Sequence, residues 1–166
     1  MKKFSIILIL SIILCPFVGQ SQGVHVVGVN VHIDPATGVT VKNQNLYFDE
    51  FASTPGQIYL DGTIWLSGNL INNNASGSPF VSTSTKSGLL VFKGSGNSTI
   101  SGTSNVEFSN LTIDKTTGGL VLSRGVTVHD ELTLSKGIVD ASSQAITLGL
   151  NASVAGGKGS AQSHVK

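Results

Sequence analysis

Apolar and polar positions alternate from the start of the region rich in valine. Val27, Val29, Val31 and Ile33 fall on one side of a period-two pattern, with Gly28, Asn30 and His32 on the other. That period belongs to an extended strand, not a helix. Asp34-Pro35-Ala36-Thr37-Gly38 then supplies turn chemistry, with proline presetting φ and glycine free to take positive φ. Val39-Thr40-Val41 resumes the alternation, so this stretch predicts a hairpin or a pair of short strands. Beyond residue 60 no window has the spacing of an amphipathic helix. Short strand-like triplets alternate instead with clusters of Gly, Ser, Asn and Lys.

The triplets recur. Val106-Glu107-Phe108, Val126-Thr127-Val128 and Ile146-Thr147-Leu148 start 20 residues apart, while Leu90, Leu111 and Leu132 are spaced by 21. Ile100 and Leu122 lie 22 apart. Two interleaved series of nearly equal period describe a chain that returns to the same place after each circuit, as in a solenoid. The expected fold is therefore all-β, a parallel β-helix or β-solenoid. Its rival is an antiparallel β-sandwich, whose strands need not recur in two phases. In the solenoid the outer residues of each triplet point inward and the middle one points out. Glu107, Thr127 and Thr147 then form an exposed ladder, and Thr112 lies beside Thr133 on another face. Gly118, Gly119, Gly125, Gly137 and Gly149 separate the triplets where corners are expected, as do Asn72-Asn73-Asn74 and Asn105.

The N-terminus changes the picture of where this chain works. Lys2 and Lys3 precede an apolar run from Phe4 to Leu14, too short to span a bilayer, and Gly19 and Ser21 occupy −3 and −1 of a cleavage site before Gln22. This predicts a signal peptide over 1–21, secretion, and no membrane span in the mature chain. Leu14 ahead of Cys15 disfavours lipidation. Cleavage removes Cys15, the single cysteine, and with it any disulfide or thiolate. It also leaves eight basic residues against nine acidic, a net charge near −1. Such a balance offers no basic stripe to nucleic acid and no polybasic segment to a membrane.

From Phe92 to Gly149 the sequence resembles the repeat region of large secreted, adhesin-like surface proteins of Bacteroidota. The resemblance rests on Thr99-Ile100-Ser101-Gly102, Phe108-Ser109-Asn110-Leu111-Thr112-Ile113, Gly119-Leu120-Val121-Leu122, Leu132-Thr133-Leu134-Ser135-Lys136-Gly137 and Ile146-Thr147-Leu148-Gly149. It covers about a third of the chain, in order. It implies a right-handed β-helix stalk, cell-surface display and export by the type IX system. Relatives of that kind continue into further domains and a C-terminal sorting domain, so the chain reads as a fragment truncated at its C-terminus. The expected organisation is a signal peptide at 1–21, N-terminal capping strands or a hairpin at 22–59, and solenoid coils at 60–166.

Several residues invite a chemical reading. His129-Asp130-Glu131 sits between two strand triplets, but neighbours on a tight turn point apart and do not converge on one atom. Asp49-Glu50 is the carboxylate pair a polysaccharide lyase or hydrolase would need. The remaining acids are scattered, and Arg124 is the single arginine. His25 and His32, with Asp34 nearby, are an odd number of positions apart and so face opposite sides of a regular strand, which disfavours a shared metal. Asn-x-Ser/Thr at Asn74, Asn97, Asn110 and Asn151 reads as corner chemistry. The expectation is a non-enzymatic structural or adhesin-like module with no catalytic, cofactor or metal site. Its partners would be glycans or other surface proteins, met by outward Thr and Asn rows or by loops such as Asn72–Ser78. A carbohydrate-active β-helix enzyme, its carrier segment and an ice-binding solenoid with exposed Thr ladders are the alternatives.

Overall fold

The computed structural model describes residues 23–35, 37–81, 88–156 and 163–166. The expected signal peptide and its cleavage point lie outside them. Among the described residues the chain is all strand and turn, and its strands stack in parallel as a β-solenoid of about six turns. Strands are short because each side of a coil holds only a few inward side chains before the chain must turn.

Three faces result. The first carries β1 (Val24–Val27), β4 (Leu46–Asp49), β7 (Leu70–Asn72) and β10 (Ser98–Gly102). The second carries β2 (Asn30–Ile33), β5 (Gln57–Leu60) and β8 (Phe80–Val81). The third carries β3 (Gly38–Val41), β6 (Thr63–Leu66) and β9 (Leu89–Gly94). Thereafter β11 (Val106–Leu122) and β12 (Val126–Asp140) bend around the corners without breaking, so each contributes to all three faces. The last coil, β13 (Ile146–Leu148), β14 (Ser153–Gly156) and β15 (Ser163–Val165), pairs in parallel with β12.

The repeat read from the sequence is the register of this stack. Val106 pairs with Val126 and Val126 with Ile146, while Leu90, Leu111 and Leu132 align on the third face. Ile100 pairs with Leu122. The third-face rows run on from Ile64 through Leu90, Leu111 and Leu132, and from Leu66 through Phe92, Ile113 and Leu134, all of them buried. Burying one such side chain contributes about 1.5–3 kcal/mol. One continuous hydrophobic core links the coils.

Corners must satisfy backbone groups that the strands leave over, and asparagine does much of this. Asn45 Oδ1 accepts from the Asn69 amide at 2.9 Å, and Asn69 Oδ1 from the Thr99 amide at 2.8 Å. Asn97 and Asn105 serve Gly119 and Gly125 in the same way, each at 3.0 Å. Each bond ties one coil to the next. Between the third and first faces the chain turns at Gly118 (φ 74°) and Gly137 (φ 91°), the left-handed region that glycine enters without steric cost.

The N-terminal stretch forms the pair of short strands that its sequence allows, but not a hairpin. At the turn after Ile33 the Thr37 amide donates to the Asp34 carbonyl at 3.1 Å. However, this turn joins strands on different faces, each pairing in parallel with the next coil, so there is no hairpin. Nor is 27–33 one strand, because a corner at Gly28 (φ 58°) and Val29 breaks it. Val26 and Ile33 are therefore the buried positions, whereas Val27 and Val29 are exposed. β1, β2 and β3 already supply one strand to each face, and β5 crosses from residue 59 to 60 with no change of architecture.

Candidate functional site

The acids singled out in the sequence bind to their own scaffold. His129 Nε2 lies 3.0 Å from Glu107 Oε2 on the preceding coil, and both side chains are more than half exposed. Glu131 instead accepts from Thr133 Oγ1 at 2.6 Å along its own strand. The His129-Asp130-Glu131 trio thus spreads over a bulge, where Phe108 faces Val128 but Asn110 already faces Glu131. Glu107 and His129 border an open cleft of about 270 Å³ walled by Leu60, Phe80 and Phe108. Two solvated groups at its rim share a hydrogen bond for which water competes at both ends, so the contact contributes little.

Asp49 and Glu50 likewise face separate corner groups. Asp49 Oδ1 accepts from Asn73 Nδ2 at 2.9 Å and its other oxygen is 3.8 Å from His25 Nδ1, while Glu50 Oε2 accepts from the Ala75 amide at 3.1 Å. His25 and His32 lie on different faces. Each stacks on a tyrosine of the next coil, His25 on Tyr47 at 4.3 Å between centroids and His32 on Tyr59 at 4.5 Å. Among the described residues no three His, Cys, Asp or Glu side chains group as metal ligands. Arg124 Nε donates to the Gly102 carbonyl at 2.7 Å, a corner bond.

The loop Asn72–Ser78 divides, with Asn73, Ala75, Ser76 and Gly77 exposed and two of its asparagines turned inward. Asn72 and Asn74 are fully buried. Asn74 Nδ2 donates to the Gly56 carbonyl at 2.9 Å and its Oδ1 accepts from the Gly56 amide at 3.0 Å, while Asn72 Nδ2 donates to the Asn105 carbonyl at 3.0 Å. Their amides hold coils together and are unavailable to a ligand. Of the other Asn-x-Ser/Thr positions, Asn97 is exposed but engaged in its corner bond, and Asn151 is exposed. The threonine rows form as read, with Glu107, Thr127 and Thr147 in register and Thr112 beside Thr133.

Two features carried no motif in the sequence. Lys115 is buried at a corner, where its Nζ donates to Ser98 Oγ at 3.0 Å and to the Lys93 carbonyl at 3.3 Å. Burial pushes its ammonium below the ordinary lysine value. The other feature is Trp65, 37% exposed on the outside of β6. It separates two shallow clefts of about 280 and 380 Å³ at opposite ends of the third-face strands. Alternation did hold the signal for its orientation, because Ile64 and Leu66 on either side point inward.

The chain matches no family model, no curated protein and no solved structure. No helix among the described residues is long and apolar enough to cross a membrane.

Proposed function

We propose that the chain is a non-enzymatic structural module of a secreted or cell-surface protein, of the adhesin-like type that its repeats resemble. The observation that supports this most is the fate of its carboxylates. Asp49, Glu50, Glu107 and Glu131 each engage a different neighbour within or between coils, rather than turning toward one another across a groove. The stack is also extensible. Each coil completes the backbone pairing of the one before it, so added coils add reach without disulfides. In this reading the solenoid is a spacer that presents its outer faces. The test is to incubate the purified chain with acidic and neutral polysaccharides and measure chain length and reducing ends. Unchanged polymers are expected; cleavage that disappears in Asp49→Asn or Glu50→Gln would establish an enzyme instead.

A further inference from the structure

We propose that Trp65 and the two clefts beside it form a binding platform for an acidic saccharide, one whose sugar rings carry carboxylates. The inference rests on the surface-module reading and gives it a ligand class. An exposed tryptophan in the middle of a sheet face presents a flat, polarisable surface that packs well against the C–H face of a pyranose. The indole also lies low against the sheet. Its six-membered ring covers Gly38 of the neighbouring strand, where any side chain would run into it. Gly38 thereby makes room for the ring, and Thr40 and Val91 flank Trp65 in the ladder above and below.

The two clefts differ in charge, and that difference selects the ligand. One is lined by Thr37, Asp61 and Thr63, groups that exchange hydrogen bonds with sugar hydroxyls. The other is lined by Lys42, Asn43, Ser67 and Lys93 and includes no carboxylate. Lys42 and Lys93 are both exposed, two coils apart on one wall. Asp114 lies across the ladder from Lys93 and outside the cleft lining. A saccharide lying along the strands would stack one ring on Trp65 and turn a carboxylate toward the lysines. The four residues of β6 span about 13 Å, room for a short oligosaccharide and not for a single sugar alone.

Trp65 is the chain's single tryptophan, so its emission reports on this place directly. Titrating the chain with tetragalacturonate should shift and saturate that emission, while cellotetraose, uncharged and of equal length, should bind at least about tenfold more weakly. Calorimetry, which does not need the indole, should show tetragalacturonate binding weakened at least about tenfold in Trp65→Ala and in the Lys42→Ala/Lys93→Ala pair. Gly38→Ala, which displaces the ring without deleting it, should weaken binding as well. Circular dichroism and the melting temperature check that each variant remains folded. Equal binding of the two sugars, undiminished binding in Trp65→Ala, or no response to either sugar overturns the platform. None of those results touches the spacer reading. Cleavage of the tetragalacturonate overturns the non-enzymatic reading instead.

Discussion

The coils from Val106 onward and those before it build the same stack by different means. In the later coils equivalent residues recur at an even spacing, Val106, Val126 and Ile146 being 20 apart. In the earlier ones Leu46, Leu70 and Ile100 occupy one row at spacings of 24 and 30, and Leu122 of the later coils continues it at 22. Inserted corners account for the excess, such as the turn bridged at Phe51 and Thr54 and the stretch around Asn74. The cores differ too. Phe48, Phe80 and Phe108 meet in sequence through the interior, at 5.1 and 5.4 Å between centroids, whereas the coil from Val126 to Val139 is filled by Val and Leu. Register in a solenoid therefore depends on which side chains point inward, and corner length is free to vary because a longer loop costs little entropy.

Deleting an interior ring tests this most severely. Phe48→Ala or Phe92→Ala, each at a fully buried position, should lower stability by about 3–5 kcal/mol. The same truncation at Leu148 in the last coil, 41% exposed, should cost less than about 1 kcal/mol. Urea unfolding of both variants measures the ratio. Comparable losses would mean that the last coil is packed as tightly as the middle of the stack.

Corner asparagines give the next effect. Asn74→Ala removes both side-chain bonds to Gly56 and takes the donor from its buried carbonyl, while the Gly56 amide keeps the Asp49 carbonyl, for a loss of about 1–3 kcal/mol. Asn105→Ala removes the bond to the Gly125 amide at a more open corner, for about 0.5–1.5 kcal/mol. Thermal melts of the two variants compare an irregular early corner with a regular later one.

Lys115 provides a dependence on pH. Burial holds its folded value below the ordinary lysine value. Between the two values the unfolded chain binds more protons than the folded one, so stability rises with pH across that window. Below the lowered folded value both states are protonated and the cost of burying the charge is constant. Lys115→Met should remove this slope, seen as a smaller rise in the urea midpoint from neutral pH toward pH ~10 than in the parent chain. Equal slopes would show that Lys115 contributes none of it.

The smallest effect belongs to the pair that looked most like catalysis. His129→Gln removes a solvent-exposed contact with Glu107 and should change stability by at most about 0.5 kcal/mol. A larger loss in the melt would mean that the bulge around His129 depends on that contact.

Most of the fold was legible in the sequence wherever coil length is constant. The even period of the later triplets announced the stack, and the threonine rows followed from it. It was illegible near the start, where alternation through Val27 and Val29 suggested one strand and the corner at Gly28 makes two. Of the candidate site little could be read. Trp65 faces outward by simple alternation, yet its clefts draw on Lys42 and Lys93, distant in the chain.

Alternation is local, since the pleat of an extended chain sends successive side chains to opposite sides regardless of what lies beyond. The sequence alone therefore determined that Ile113 and Leu134 go inside and that Thr112 and Thr133 stay out. Contacts between coils depend on the summed length of strands and corners, which no local pattern encodes. Only the tertiary structure decided that His129 meets Glu107, that Asn72 and Asn74 turn inward, and that Lys115 is enclosed beside Ser98. Those partners lie about one coil apart, and a single inserted corner residue would have changed each of them.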